Sequence, residues 1–131
     1  MTTLPRRALL WAPVVVYMAA IFYLSAQSSP PTPGGLPDKV SHAIEYFGLA
    51  LVVFRAVAGG LGAQVTGARA ITTMITTMAY AVTDEVHQLF VPDRTADAGD
   101  LLADAAGASV ALIACRAWNI IAASRPRVPR A

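Results

Sequence analysis

Long apolar runs alternate along the chain with short polar or turn-forming stretches. Apolar residues dominate positions 8–27, 40–58, 70–90 and 100–123. Each run approaches the ~20 residues that an α-helix needs to cross ~30 Å of hydrocarbon. A helix of a soluble protein carries a polar stripe along its outer face. The first and third runs read as almost free of one, and the fourth is rich in alanine on every side below Asp104. This pattern predicts an all-α, polytopic membrane protein, with four transmembrane helices in a compact bundle. No internal repeat or composition break divides the chain, so residues 1–131 read as a single domain.

The breaks between runs are equally regular. Pro30-Pro31-Thr32-Pro33-Gly34-Gly35-Leu36-Pro37 cannot continue a helix, and Asp38 directly after it is a predicted N-cap. Gly59, Gly60 and Gly62 close the second run. Pro92 closes the third, and the fourth starts close to Asp97 or Asp100.

Composition agrees with this pattern. Of 131 residues, 56% are hydrophobic and only 14% charged, against about a quarter charged in soluble domains. The net charge of +2 and a pI near 9.0 would suit nucleic acid, but the bases are scattered and no nucleic-acid motif is present. Their placement follows the positive-inside rule instead. Arg6, Arg7, Arg55, Arg69, Arg116, Arg125, Arg127 and Arg130 fall on one side, and only Lys39 and Arg94 on the other. Both termini are therefore expected in the cytoplasm, with the basic tail after Arg116 resting on anionic lipid heads. A cleaved signal peptide competes for the first run, but that run exceeds a typical apolar region and lacks a small-x-small cleavage site. Cys115 is the one cysteine, which excludes a disulfide framework within the chain and predicts a small buried hydrophobe.

The acids sort the other way. All eight fall on the side of Lys39 and Arg94, at the outer ends of three spans. Asp38, His42 and Glu45 recur at i, i+4 and i+7, with Lys39 and Tyr46 beside them. Tyr80, Asp84, His87 and Gln88 form a second face, with Glu85 on its flank. Asp97, Asp100 and Asp104 form a third, which Gly107 continues. Each stripe reaches inward about two turns, ~10 Å. Intramembrane charge costs ~2.5–3.5 kcal/mol per group at the bilayer centre, so the stripes are expected to converge on a shared, wet cavity.

Even with both histidines charged, this side keeps a formal excess of four negatives. The deeper carboxylates must share protons, bind a cation or receive a cationic ligand. The predicted binding set is Lys39, His42, Glu45, Tyr46, Asp84, Glu85, Gln88, Arg94, Asp100 and Asp104. Within it, Asp84, Glu85, His42 and Asp100 are the catalytic candidates, acting as acid and base. His42, Asp84 and Asp100 are the metal candidates, for a divalent cation, although no H-E-x-x-H spacing is present. No Ser/His/Asp or Cys/His constellation and no glycine-rich phosphate loop is evident. Thr72, Thr73, Thr76 and Thr77 predict interhelical hydrogen bonds, and Ala103, Gly107 and Ala111 predict close helix packing.

The strings Asp38-Lys39-Val40-Ser41-His42-Ala43-Ile44-Glu45-Tyr46, Asp84-Glu85-Val86-His87-Gln88-Leu89-Phe90-Val91-Pro92-Asp93-Arg94 and Asp100-Leu101-Leu102-Ala103-Asp104 resemble the VanZ-like family. Phe22-Tyr23-Leu24-Ser25 with Gln27 resembles it too. The resemblance implies a small four-span protein of the bacterial cytoplasmic membrane. Its founding member is associated with low-level resistance to teicoplanin, a glycopeptide that binds cell-wall precursors. Asp38, Lys39, His42, Tyr46, Asp84, Glu85, Gln88, Pro92, Arg94 and Asp100 match the family pattern. His87 falls at a variable position, and Asp104 stands where the family usually has Asn.

Three functions are open at this level. The first is a cell-envelope protein binding or modulating a lipid-linked cell-wall precursor or a lipid headgroup, with membrane lipids as partners and no nucleic acid. The second is a membrane-embedded, metal-assisted or acid–base hydrolase or transferase of such a headgroup. The third is a packing module without a ligand.

Overall fold

The computed structural model describes residues 5–29 and 35–124. Residues 30–34 of the proline-rich loop, and Arg125, Arg127 and Arg130 of the basic tail, lie outside the described residues. Four helices are present: α1 (Arg6–Ser25), α2 (Asp38–Ala58), α3 (Gly67–Gln88) and α4 (Ala98–Ser124).

The helix ends follow local chemistry. Pro37, with extended backbone, precedes α2, and no side chain caps that end. Asp38 is therefore inside the first turn and not at the predicted cap; there its charge suits the positive end of the helix dipole. Gly59 ends α2 at φ 82°, a left-handed conformation that favours glycine. Thr66 caps α3 by accepting the Arg69 N–H at 3.3 Å. Asp97 caps α4, its Oδ1 accepting the Gly99 N–H at 2.7 Å.

The helices run up and down, with α2 and α3 each packed on all the others, while α1 and α4 do not touch among the described residues. The α2–α4 contact is the most extensive. It depends on Gly107, where a Cβ would overlap the backbone carbonyl of Ala43. Ala50, Ala108 and Ala111 continue this seam as a buried cluster. The small residues of the fourth run thus pack within the chain. On the other side of α2, Val14, Ile21, Tyr46, Leu49, Val53 and Ala81 form the larger core.

The outward surface is apolar on every helix, including Val15 and Val16 on α1, Ile44 on α2 and Leu102, Ile113 and Ile120 on α4. Three helices, α1, α2 and α4, are long and apolar enough to cross a membrane. The third helix falls short of that hydropathy although, as its sequence reads, it carries almost no polar stripe on its outer face; α3 is turned inside out. Ile71, Ile75, Val82 and Val86 make its exposed stripe, while Thr73, Thr77, Asp84, Glu85 and Gln88 are buried. The inward polar stripe lowers its average hydropathy, while the exposed side adds the hydroxyls of Thr72 and of Thr83, the latter donating to the Tyr80 carbonyl at 2.7 Å. The threonines do not make the predicted interhelical bonds: the Thr73 and Thr77 hydroxyls are buried with no partner among the described residues. Those positions are held by packing.

Charge is sorted along the bundle axis. Arg6 donates to the Gly59 carbonyl at 3.5 Å, Arg55 to that of Leu10 at 3.3 Å and Arg69 to that of Gln64 at 2.8 Å. These bonds gather at the end where α1 and α3 start. Cys115 is buried near the same end. The carboxylates gather at the other.

Candidate ligand site at the acidic end

Every helix contributes to the acidic end. Its inner part is a cavity of about 30 Å³ lined by Leu24, Ser25, His42, Glu45, Asp84, Gln88 and Arg94. That volume holds a water or two, or a small ion. Ser25, on the last turn of α1, donates to Asp84 Oδ1 at 2.6 Å. Gln88, one turn along α3, reaches Asp84 Oδ2 at 3.5 Å. The Arg94 Nε is buried without a hydrogen-bond partner among the described residues, so this loop cation lines the cavity with donor capacity unused.

The second part lies between α2 and the start of α4. Lys39 Nζ contacts Asp97 Oδ2 at 2.6 Å and Asp100 Oδ1 at 3.1 Å. His42 Nδ1 is 3.0 Å from Asp104 Oδ1, and its Nε2 faces Asp100 Oδ2 at 4.0 Å. Glu85 Oε2 accepts the Asp97 backbone N–H at 3.0 Å, tying α3 to the α4 cap. The Lys39 ammonium, and then the Gly99 N–H, hold the Asp97 carboxyl below its ordinary value. The other oxygens, Glu85 Oε1 and Asp104 Oδ2, are buried and without partners among the described residues. His42 belongs to both parts and joins them.

The predicted residues therefore separate into two neighbouring groups. His42, Glu45, Asp84, Gln88 and Arg94 share the cavity. Lys39, His42, Asp100 and Asp104 form the charged network beside it, and Glu85 borders that network through Asp97. Tyr46 sits elsewhere, fully buried in the apolar core, with its hydroxyl unpartnered among the described residues. Of the metal candidates, His42 and Asp100 approach each other, and the third donor beside them is Asp38; ligand atoms of Asp38, His42 and Asp100 lie within 4.8 Å of one another. Asp84 is engaged by Ser25 and Gln88.

Ser25 is the residue that the sequence-based site set lacks. Its signal was its place at the acidic end of α1, within the Phe22–Ser25 string. With it, one Ser, one His and one Asp side chain lie close together, although not as the nucleophilic constellation that the sequence reading found no sign of. Ser25 Oγ is 3.4 Å from His87 Nδ1, and His87 stacks on Phe22 with ring centroids 4.2 Å apart. The order differs from a nucleophilic triad, in which histidine stands between serine and carboxylate. Here serine gives its hydrogen bond directly to Asp84.

Residues 37–119 match a family described as VanZ/LLP1. The matched segment takes in α2, α3 and most of α4, and therefore every acid of the site. No curated protein and no solved structure matches the chain.

Proposed function

From a chain that belongs to the VanZ/LLP1 family and is a membrane protein with three helices apolar enough to span, we propose a multi-pass protein of the bacterial cytoplasmic membrane that binds a lipid headgroup at its acidic end. In this reading α3 crosses as well, its apolar stripe on lipid and its polar stripe on the other helices. In the same reading the termini are in the cytoplasm and the acidic end is outside, which the positive-inside distribution supports.

The observation that carries the proposal is the position of Lys39. It belongs to the charged network and also lines an apolar groove of about 680 Å³ between α2 and α4. The α2 wall of that groove runs from Lys39 to Phe47, ~12 Å at 1.5 Å per residue. A molecule with a polar head and an apolar chain fits both features at once. Lys39 and Arg94 suit a phosphate, and the carboxylates suit hydroxyl or amine groups of the head. A lipid-linked cell-wall precursor has this chemistry, which would connect the site to a glycopeptide-resistance role.

The test is native mass spectrometry of detergent-purified protein offered phosphatidylglycerol, phosphatidylethanolamine or a polyprenyl-phosphate lipid. Wild type is expected to retain at least one of them, and Lys39→Gln and the groove-filling Ala106→Leu to retain less. Equal retention by all three proteins would remove the proposal. A second reading, hydrolysis of that headgroup, draws on Ser25, Asp84 and His87 meeting beside the cavity. It expects Asp84→Asn to hold lipid but to lose turnover.

A further inference from the structure

We propose that Asp38, His42 and Asp100 form a binding site for one divalent transition-metal ion, with Asp104 as its supporting carboxylate. His42 is 5% exposed, and its two ring nitrogens have different surroundings. Nδ1 lies 3.0 Å from Asp104 Oδ1, which fixes the ring by accepting the hydrogen bond of an Nδ1–H. That hydrogen bond leaves the Nε2 lone pair facing Asp100. At 4.0 Å from Asp100 Oδ2, Nε2 makes no hydrogen bond there. The gap is too wide for direct contact and suits an ion shared by the two groups.

Asp38 completes the set. Its carboxylate, the His42 nitrogen and the Asp100 oxygen lie within 4.8 Å of one another. Zinc–oxygen and zinc–nitrogen bonds of ~2.0–2.2 Å put neighbouring donors about 3–4 Å apart, so small side-chain rotations close the site. One nitrogen and two carboxylates make a donor set for Mn²⁺ or Zn²⁺. Asp104 on the far nitrogen of the ring supplies the carboxylate–histidine–metal arrangement that orients such ligands.

The surrounding charges are compatible. Lys39 occupies Asp100 Oδ1 and leaves Oδ2 turned toward His42. It also shares its charge with Asp97. Asp38 is exposed, on the first turn of α2, so an ion has a path from the aqueous side. A bound dication would also offset part of the negative excess of this end, which two fixed cations leave uncompensated. The inference stands on these donors alone and fails or holds independently of the lipid reading.

The test uses full-length protein purified in detergent, stripped with EDTA and titrated with Mn²⁺ and, separately, Zn²⁺. Wild type is expected to take up one ion per chain. Affinity is expected to fall at least about tenfold in Asp38→Asn and by about tenfold in Asp104→Asn, the range typical of ligand-supporting groups. Bound Mn²⁺ is expected to show ¹⁴N modulation in pulsed electron paramagnetic resonance, and His42→Gln to abolish it. Because Asp38 is on an exposed helix end, its variant reports on the site even where His42→Gln does not fold. No uptake of either ion by wild type, uptake undiminished in Asp38→Asn, or bound Mn²⁺ without ¹⁴N modulation would each overturn the proposal.

Discussion

His42 Nδ1 and Asp104 Oδ1 lie 3.0 Å apart, joining α2 to α4 where both side chains are almost wholly buried. A buried hydrogen bond to a charged group contributes about 1.5–3 kcal/mol. Asp104→Leu is expected to destabilise the protein by roughly that amount, while Asp104→Asn keeps an acceptor at Oδ1 and costs under about 1 kcal/mol. Equilibrium unfolding in mixed detergent measures both. Asn is also the residue that the VanZ resemblance places at this position.

The close approach of Gly107 to the Ala43 backbone gives a second expectation. Any larger side chain forces α2 and α4 apart, and overpacking of this kind costs about 1–3 kcal/mol. Gly107→Leu is expected to lower the melting temperature clearly. Ala106→Leu, on the neighbouring exposed position, is expected to leave it nearly unchanged. Differential scanning fluorimetry of the two variants compares them directly.

Ser25 and Asp84 supply the third. Ser25→Ala leaves Asp84 Oδ1 without its 2.6 Å donor in a buried setting. An unsatisfied buried acceptor costs about 1–3 kcal/mol, so a fall in stability of that size is expected. Gln27→Ala, whose side chain bonds a carbonyl at the exposed end of α1, serves as the neutral comparison.

The Lys39–Asp97 pair gives a pH dependence. The Asp97 carboxyl is held below its ordinary 3.8, first by Lys39 and then by the Gly99 N–H. Its contribution to stability is therefore complete above pH 3.8 and is lost as pH falls through the lower folded-state value. The pair is half exposed, so the effect is small and weakened by salt. The stability difference between wild type and Asp97→Asn is expected to be constant from pH 7 to 4.5 and to shrink below pH 3.8. A difference that widens on acidification would contradict this.

Much of this arrangement was legible from spacing. The i, i+4 and i+7 recurrence of Asp38, His42 and Glu45, and the matching recurrences around Asp84 and Asp100, placed three polar stripes at one end because helical geometry leaves little freedom. Tyr46 was harder. Its position beside Glu45 suggested the site, but one residue is a 100° turn on a helix, enough to carry it into the core. Ser25 was missed because a single hydroxyl makes no stripe. Its value depends on α1 lying against α3, a tertiary fact. The threonines of α3 show the reverse error, in which a periodic polar pattern suggested hydrogen bonds that packing did not provide. Partner choice between helices was also illegible: spacing put Asp38 on the face of His42 but left open which acids of the other helices meet it, and only the crossing of α2 and α4 brings Asp38 and Asp100 together.

The central claim is that the acidic end holds a lipid headgroup and is not packing glue. Melting temperature of wild type and Asp84→Asn, each with and without the retained lipid, tests it most directly. The account predicts that the lipid raises the melting temperature of wild type. It predicts that Asp84→Asn, relieved of one buried charge, is at least as stable without lipid and gains little from it. A variant that is less stable than wild type yet gains as much from the lipid would contradict the account.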